Sequence, residues 1–411
     1  MPASSPRAEA MYSARLHRRP SCAKLAMQSG NSRVRICSRQ HSVRRKDSAT
    51  MNHRERVLTT FSHRQPDRVP RSISLTPGVY EEFRLRTGYD DPSAYWDLDF
   101  AGVGFRRPDP LPDLKAIFGR FFRGLDCEWS LDWDTDYPPE WGVATRPAHF
   151  LHFSAPLAPL ASFTSASQLA DYPFPDYMRD WRHDHLESEV QRLKDAGCAV
   201  TGGIGWIFQT AWTMRTREQL FVDFYDNPEF ADALLTKVTE IRTEQAIRLA
   251  ESGVDMLALS DDIGTQSTMI MSPAMWRRWI KPRMAEVIAA ARRVNPKVHF
   301  RYHSDGWFLP VIPDLIEVGV SSLVTVQPES MDVFEVKRRF GRDLVLEGTI
   351  GCQSELMLGT VDEVWRMVKA QCAGLMPGGG FVASSANGVE PDVPWENLTA
   401  LFEALDQYGR Y

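Results

Sequence analysis

The chain has 411 residues, with 48 Lys and Arg against 53 Asp and Glu, a formal charge of −5; 43% of residues are hydrophobic and 25% charged. These proportions suit a soluble globular protein and exclude a disordered chain, a collagen-like repeat and a disulfide-built miniprotein. No apolar run of about 18 residues points to a membrane-spanning helix, and the acidic balance speaks against a general nucleic-acid binder.

Cys22, Cys37, Cys127, Cys198, Cys352 and Cys372 are scattered, with no Cys-x-x-Cys pair. That spacing offers neither a disulfide framework nor a structural zinc finger, and a reducing cytoplasm is the simplest setting. Residues 1–50 carry 11 Lys and Arg against 2 Asp and Glu, are rich in serine and show no apolar periodicity. Such a segment buries too little surface to offset the entropy of ordering, so disorder is expected there. A targeting peptide, a basic interaction arm and a start codon assigned too early are the three readings. The last is preferred, because Met51 opens what reads as the first helix of a domain.

From residue 51 onward strands and helices alternate. Strands are expected at 69–75, 99–105, 199–204, 255–259, 298–302, 321–326, 344–346 and 381–383. Asn227-Pro228-Glu229 starts a helix running towards Gly253, with an N-cap and a proline at the first helical position. Ser272-Pro273 starts another, with Trp276, Ile280, Met284, Val287, Ile288 and Ala291 on one face. Thr360 and Glu363 form a capping box. Eight alternating units in about 350 residues predict an α/β fold with a parallel sheet, a (β/α)8 TIM barrel in a single domain, residues 51–411. The open doubly wound alternative lacks its fingerprint: Phe208 stands where the third glycine after Gly203 and Gly205 belongs. Gly378-Gly379-Gly380 precedes a strand and not a helix, so it is no phosphate cradle.

Residues of about 105–180 break the rhythm as an aromatic-rich insertion, with Phe118, Phe121, Phe122, Trp129, Trp133, Trp141, Phe150 and Phe153. Packed irregular structure over the barrel is the preferred reading; a cap that walls an apolar substrate pocket is the sharper one.

Chemistry in such a barrel sits where the strands end. Ser260, Asp261, Asp262 and Gln266 follow one strand, and His303, Ser304 and Asp305 the next. Gln327 and Glu329, Glu347 and Thr349, and Ser384, Ser385, Asn387 and Glu390 follow the remaining three. His303 and Asp305 leave their strand at i and i+2, on one face. They suit a metal pair or a base with its orienting carboxylate; the structural alternative is that His303 bonds a neighbouring loop and Asp305 caps a helix. Asp261 and Asp262 suit substrate fixation or acid/base work; the structural alternative is that one of them caps a following helix. His183 and His185 sit at a helical spacing that points them apart, and read as a solvated helix start.

The stretch from Arg54 to Leu58 with Pro66, Asp67 and Arg68, then Ser260 to Gly264 followed by Ser272-Pro273, then His303 to Gly306 with Ile312-Pro313-Asp314, and finally Gly378 to Gly380 with Asn387, Pro391, Pro394 and Asn397 together resemble the uroporphyrinogen decarboxylase superfamily, from Met51 to the C-terminus. The resemblance implies a (β/α)8 barrel and one of two chemistries: cofactor-free decarboxylation of uroporphyrinogen, or methyl transfer between a corrinoid and a small thiol or methylated substrate, usually with zinc.

The decarboxylase pattern implies an arginine-rich loop after the first strand, and here no arginine lies between Arg71 and Arg84. The thiol methyltransferases imply His-x-Cys where this chain has His303-Ser304-Asp305, and a second Cys where Asn387 falls. The reading is therefore a corrinoid-linked methyltransferase or demethylase acting on a small methylated substrate. In it His303 and Asp305 hold zinc or another divalent metal or polarise the leaving group directly, Asp261 and Asp262 act on the substrate, and Gln266, Gln327, Glu347 and Asn387 orient it. The corrinoid would ride on a separate partner protein; neither nucleic acid nor membrane is expected as a partner. The alternatives are a cofactor-free decarboxylase with His303 as proton donor, and a non-catalytic binding protein on the same barrel.

Overall fold

The computed structural model describes residues 50–133, 139–147 and 154–411. The expected basic head, to residue 49, and Phe150 and Phe153 of the insertion lie outside them. The strands in chain order are β1 (Arg71–Ser72), β2 (Phe100–Val103), β3 (Ala144–Pro147), β4 (Ser154–Leu157), β5 (Ala199–Trp206), β6 (Met256–Ser260), β7 (His299–His303), β8 (Ser322–Leu323), β9 (Val345–Leu346) and β10 (Ala383–Ser384). One sheet runs β2-β5-β6-β7-β8-β9, every pair parallel, and β1 pairs with β10, also parallel. A parallel bridge between Leu346 and Phe381 joins β9 to the start of β10. On the other side the N–H of Asp99, next to β2, donates to the carbonyl of Arg71 in β1 at 3.1 Å. The fold is thus mixed α/β built on parallel strands, as the alternation predicts.

Alternate residues divide the sheet into two faces. On β5, Val200 and Ile204 are fully buried on the outer face, and Gly202 lies against Leu249 of the helix Pro228–Glu251. Thr201 and Gly203 therefore point inward. The helix His53–Phe61 covers the amino-terminal end of the inner face. Asn52 and Glu55 close a capping box at its start, and its Val57 and Phe61 pack with Ala199, Met256, Val345 and Val382 as a small separate core. Each such large side chain contributes about 1.5–3 kcal/mol through burial.

Asp99 ties the same end together. It accepts from Arg56 Nη1 at 2.6 Å, Arg68 Nη1 at 2.8 Å and the Arg71 N–H at 2.7 Å, and pairs with His53 Nδ1 at 2.9 Å. Burial alone would raise its pKa; the His53 hydrogen bond and the charges of Arg68 and Arg56 outweigh that and hold it below the usual carboxylate value.

Two local expectations need correction. The helix expected from Ser272 through Ala291 is two helices, Pro273–Trp279 and Lys281–Val294, meeting at Ile280. Pro282 has no N–H to continue the first helix but fits the first turn of the second. The insertion carries an antiparallel hairpin, β3 with β4, which its sequence did not announce. Its aromatic residues pack largely on one another: Tyr172 lies within 6.4 Å, centroid to centroid, of Phe118, Phe121, Phe163 and Phe174, and Trp141 is fully buried.

Candidate active site

Beyond the carboxyl end of β6 the chain carries Asp261 and Asp262, and beyond that of β7, Ser304 and Asp305. The two loops are bound to each other. The Asp261 N–H donates to the His303 carbonyl at 2.9 Å, and the Trp307 N–H to the Thr265 carbonyl at 2.7 Å. The Ile263 N–H donates to Ser304 Oγ at 3.1 Å. Gly264 and Gly306 permit this approach. A Cβ on Gly264 would sit 2.5 Å from the Asp305 carbonyl oxygen, and one on Gly306 2.4 Å from that of Thr265; Gly306 also has φ of +78°.

This frame brings Asp262, His303 and Asp305 together. His303 Nε2 lies 3.6 Å from Asp262 Oδ1 and 3.5 Å from Asp305 Oδ1. Among the described residues they form the one group of three metal-ligating side chains, their ligand atoms within 4.8 Å of one another. Asp262 Oδ1 also accepts from the Asp305 N–H at 3.0 Å. On the far side of the imidazole, Nδ1 meets the Thr325 hydroxyl at 2.5 Å. Asn387, from the loop after β10, donates from Nδ2 to Asp305 Oδ2 at 3.2 Å, while Asp305 Oδ1 is buried without a hydrogen bond. Burial, with the charge of Asp262 adding to it, raises the pKa of Asp305, and the Asn387 hydrogen bond and His303 offset only part of this.

The other expected residues are placed elsewhere. Asp261, next to Asp262 on a strand end, faces the opposite way. It is fully buried and accepts from the Gln209 N–H at 2.9 Å, at the start of the helix Phe208–Arg215, with its second oxygen unpartnered. Burial pushes its carboxyl up to about 7. This is the capping role in altered form, served on the preceding helix. Gln327 is buried and accepts from the Gly306 N–H at 2.6 Å, so it holds the His303–Asp305 loop from behind. Glu347 is fully buried and clamped by Arg301, Nε to Oε1 at 3.0 Å and Nη2 to Oε2 at 2.6 Å, with Ser322 Oγ at 2.7 Å from Oε1. Gln266 sits on the rim, bonded to Gln353 and Ser330. His183 and His185 stand half-exposed at a helix start, as expected, and His183 Nδ1 also accepts from Arg248 Nε at 2.9 Å.

Two residues were overlooked. Thr325 gave no signal beyond lying in a strand. Arg301 did: a cation between two aromatics inside a parallel strand is out of place unless it faces an interior partner. The sharper reading of the insertion, as a wall of the substrate pocket, finds little support. The cleft of about 470 Å³ within it, lined by Pro110, Trp133, Phe174, Trp181 and Arg182, includes none of the strand-end acids.

Parallel strands with polar residues gathered beyond their carboxyl ends define an α/β protein of barrel-like fold. Comparison with known proteins narrows that class. The family model described as uroporphyrinogen decarboxylase matches residues 158–408, and the chain belongs to that family. The Methylcobamide:CoM methyltransferase MtaA of Methanosarcina barkeri is 28% identical over 179 residues, 43% of this chain and 49% of that protein. The uroporphyrinogen decarboxylase of Coxiella burnetii is 22% identical over 191 residues, 45% and 49% of the two chains. The chain thus spans about half the length of the curated relatives it matches. Among solved structures, a methyltransferase from Methanosarcina mazei superposes with a TM-score of 0.57 over 87% of this chain and 99% of that one, at 17% identity, which is a likeness of fold. No helix of the described residues is long and apolar enough to cross a membrane.

Proposed function

We propose that this chain is a corrinoid-linked methyltransferase or demethylase of its family, using a divalent metal held by Asp262, His303 and Asp305 on a small methylated substrate. The observation that carries the reading is the convergence of one imidazole and two carboxylates within 4.8 Å. The residues fit a metal. Asp305 Oδ1 is a buried acceptor with no donor, and a divalent cation would relieve the repulsion between the two carboxylates. If Nδ1 of His303 donates to Thr325, the Nε2 lone pair faces the carboxylates, the orientation a metal-binding histidine needs. One nitrogen and two oxygens form a harder donor set than thiolates, suited to zinc, manganese or ferrous iron and less to activating a thiol. A bound ion would supply Lewis-acid polarisation of the substrate's oxygen or nitrogen. Asn387 fixes Asp305, and Gln327 fixes the loop on which both ligands ride.

A porphyrinogen substrate is disfavoured by the arginines flanking β1. Arg68 is committed to Asp97 and Asp99, and Arg71 to Asp406, so neither is available to clamp substrate carboxylates. The hydrogen bond between Asp99 and Arg71 and the bridge from Leu346 to Phe381 support closure of the eight parallel strands into a (β/α)8 barrel. A cytoplasmic enzyme partnered by a corrinoid protein is part of the same reading.

The test is metal content by mass spectrometry on the full chain purified without chelators, beside His303→Ala. Near-stoichiometric divalent metal, lost in the variant, is expected. Metal-free wild-type protein would reject the metal-assisted mechanism and favour decarboxylation with His303 as proton donor.

A further inference from the structure

The inner face of the sheet is not filled beneath the acids. The interior of a parallel barrel is normally packed with layers of branched side chains, yet β2 and β5 present Gly102 and Gly203 there, with Gly104 just beyond. An ideal Cβ on any of the three would meet no atom within 4 Å, and none has a positive φ. These glycines therefore serve no turn and no close backbone approach; what they provide is space. The space is a wide-mouthed hollow of about 430 Å³, open to solvent at the three glycines and lined also by Phe100, Thr201 and Arg301.

Arg301 lies two residues before His303 on β7, on the same face and about 7 Å below it. The cavity floor is therefore one layer below the reactive cluster. The floor has a definite polarity. Both oxygens of Glu347 are taken by Arg301, and one of them also by Ser322, so Glu347 offers a ligand nothing. Arg301 spends one N–H of Nη1 on Thr201 Oγ1 at 3.4 Å. Of its five N–H groups, one on each terminal nitrogen stays uncommitted. Thr201, accepting from Arg301, has its own O–H left to give. The uncommitted N–H groups of Arg301 make the floor rich in donors. It carries no net charge, because Arg301 and Glu347 cancel. Above it, Asp262 and Asp305 oppose an anion.

We infer that this cavity is a binding subsite for the far end of a small molecule that is not an anion and bears an oxygen acceptor such as an ether or a carbonyl, which Arg301 and Thr201 receive while the other end reaches His303. The inference rests on the proposed function in taking the His303 cluster as the reactive end. It is tested without metal or turnover. Three matched probes share a methoxy group: 1,2-dimethoxyethane is neutral, methoxyacetate anionic and 2-methoxyethylammonium cationic. Their affinities for the full chain are measured by ligand-detected NMR titration, for wild type and for Gly203→Val and Gly102→Val. The open surroundings of both glycines let these variants fold, which circular dichroism checks. The neutral and the cationic probe are each expected to bind at least tenfold more tightly than the anionic one, and to lose at least tenfold in each variant. Tighter binding of the anionic probe, no binding of any probe, or binding unchanged in both variants would overturn the inference. Metal content reads the His303 cluster separately: a metal-bearing protein that fails the probe test loses the subsite alone, and a metal-free protein that passes it keeps the subsite and loses the proposed chemistry.

Discussion

Replacing Asp261 by Asn tests the electrostatics of the site where they are most one-sided. The Asp261 carboxyl is fully buried, accepts a backbone N–H from Gln209 and leaves its second oxygen without a partner. Burial lifts it from the ordinary 3.8 to about 7. In the unfolded chain the group ionises near pH 4; in the folded protein it keeps its proton until about pH 7. The folded state binds more protons across that window, so stability falls as pH rises through it and levels off above. At about 1.4 kcal/mol for each tenfold change in proton affinity, the loss is about 4 kcal/mol. Asn keeps the acceptor for Gln209 and cannot ionise, so any cost of its buried amide is independent of pH. Urea unfolding followed by tryptophan fluorescence, at steps from pH 4 to 8.5, should show wild type losing about 4 kcal/mol relative to Asp261→Asn between pH 4 and 7, with no further divergence above. Parallel curves would mean that the carboxyl is ionised in the folded protein, and the account of its burial would be wrong.

Three further outcomes are expected. Because Asp305 has a raised proton affinity, metal binding must displace that proton, and calorimetric affinity for zinc should rise with pH through the acidic range; a flat profile would remove Asp305 from the ligand set. Arg301→Met leaves Glu347 buried and unpaired, at a cost of about 3–5 kcal/mol in denaturant unfolding, and adding Glu347→Met should return most of it. Gln327→Ala strips the Gly306 N–H of its acceptor, costing about 1–3 kcal/mol and weakening metal retention; full retention in a destabilised protein would show that the loop does not depend on it.

The eight parallel strands were legible because each lies in or beside a short apolar stretch bounded by turn and cap residues. Caps were equally plain, as at Asn227 and Thr360, each of which bonds a backbone N–H as its sequence suggests. The two-helix break at Ile280 was hidden because apolar spacing continues across it, and only Pro282 carries the interruption. At the site, the convergence of Asp262, His303, Asp305 and Asn387 follows from their shared position after strands. Direction was harder to read. Asp261 and Asp262 are adjacent, so only one can join the cluster, and position on a strand end alone does not say which. Glu347 looked free because its partner Arg301 lies 46 residues earlier, and pairings at that separation leave no local trace.

The contact between Gly264 and Gly306 also bears on how this site can be altered. With backbone against backbone, neither loop has room for an inserted residue, and sliding one past the other would break the Trp307 to Thr265 hydrogen bond. Two positions that face into the cluster, 305 and 387, differ: each presents its side chain from a frame held by other contacts. Chemistry at this site can therefore be exchanged one side chain at a time on a fixed chassis. Position 305, whose side chain already lies beside His303, is the place where a hard donor can be exchanged for a soft one with the loop left as it is.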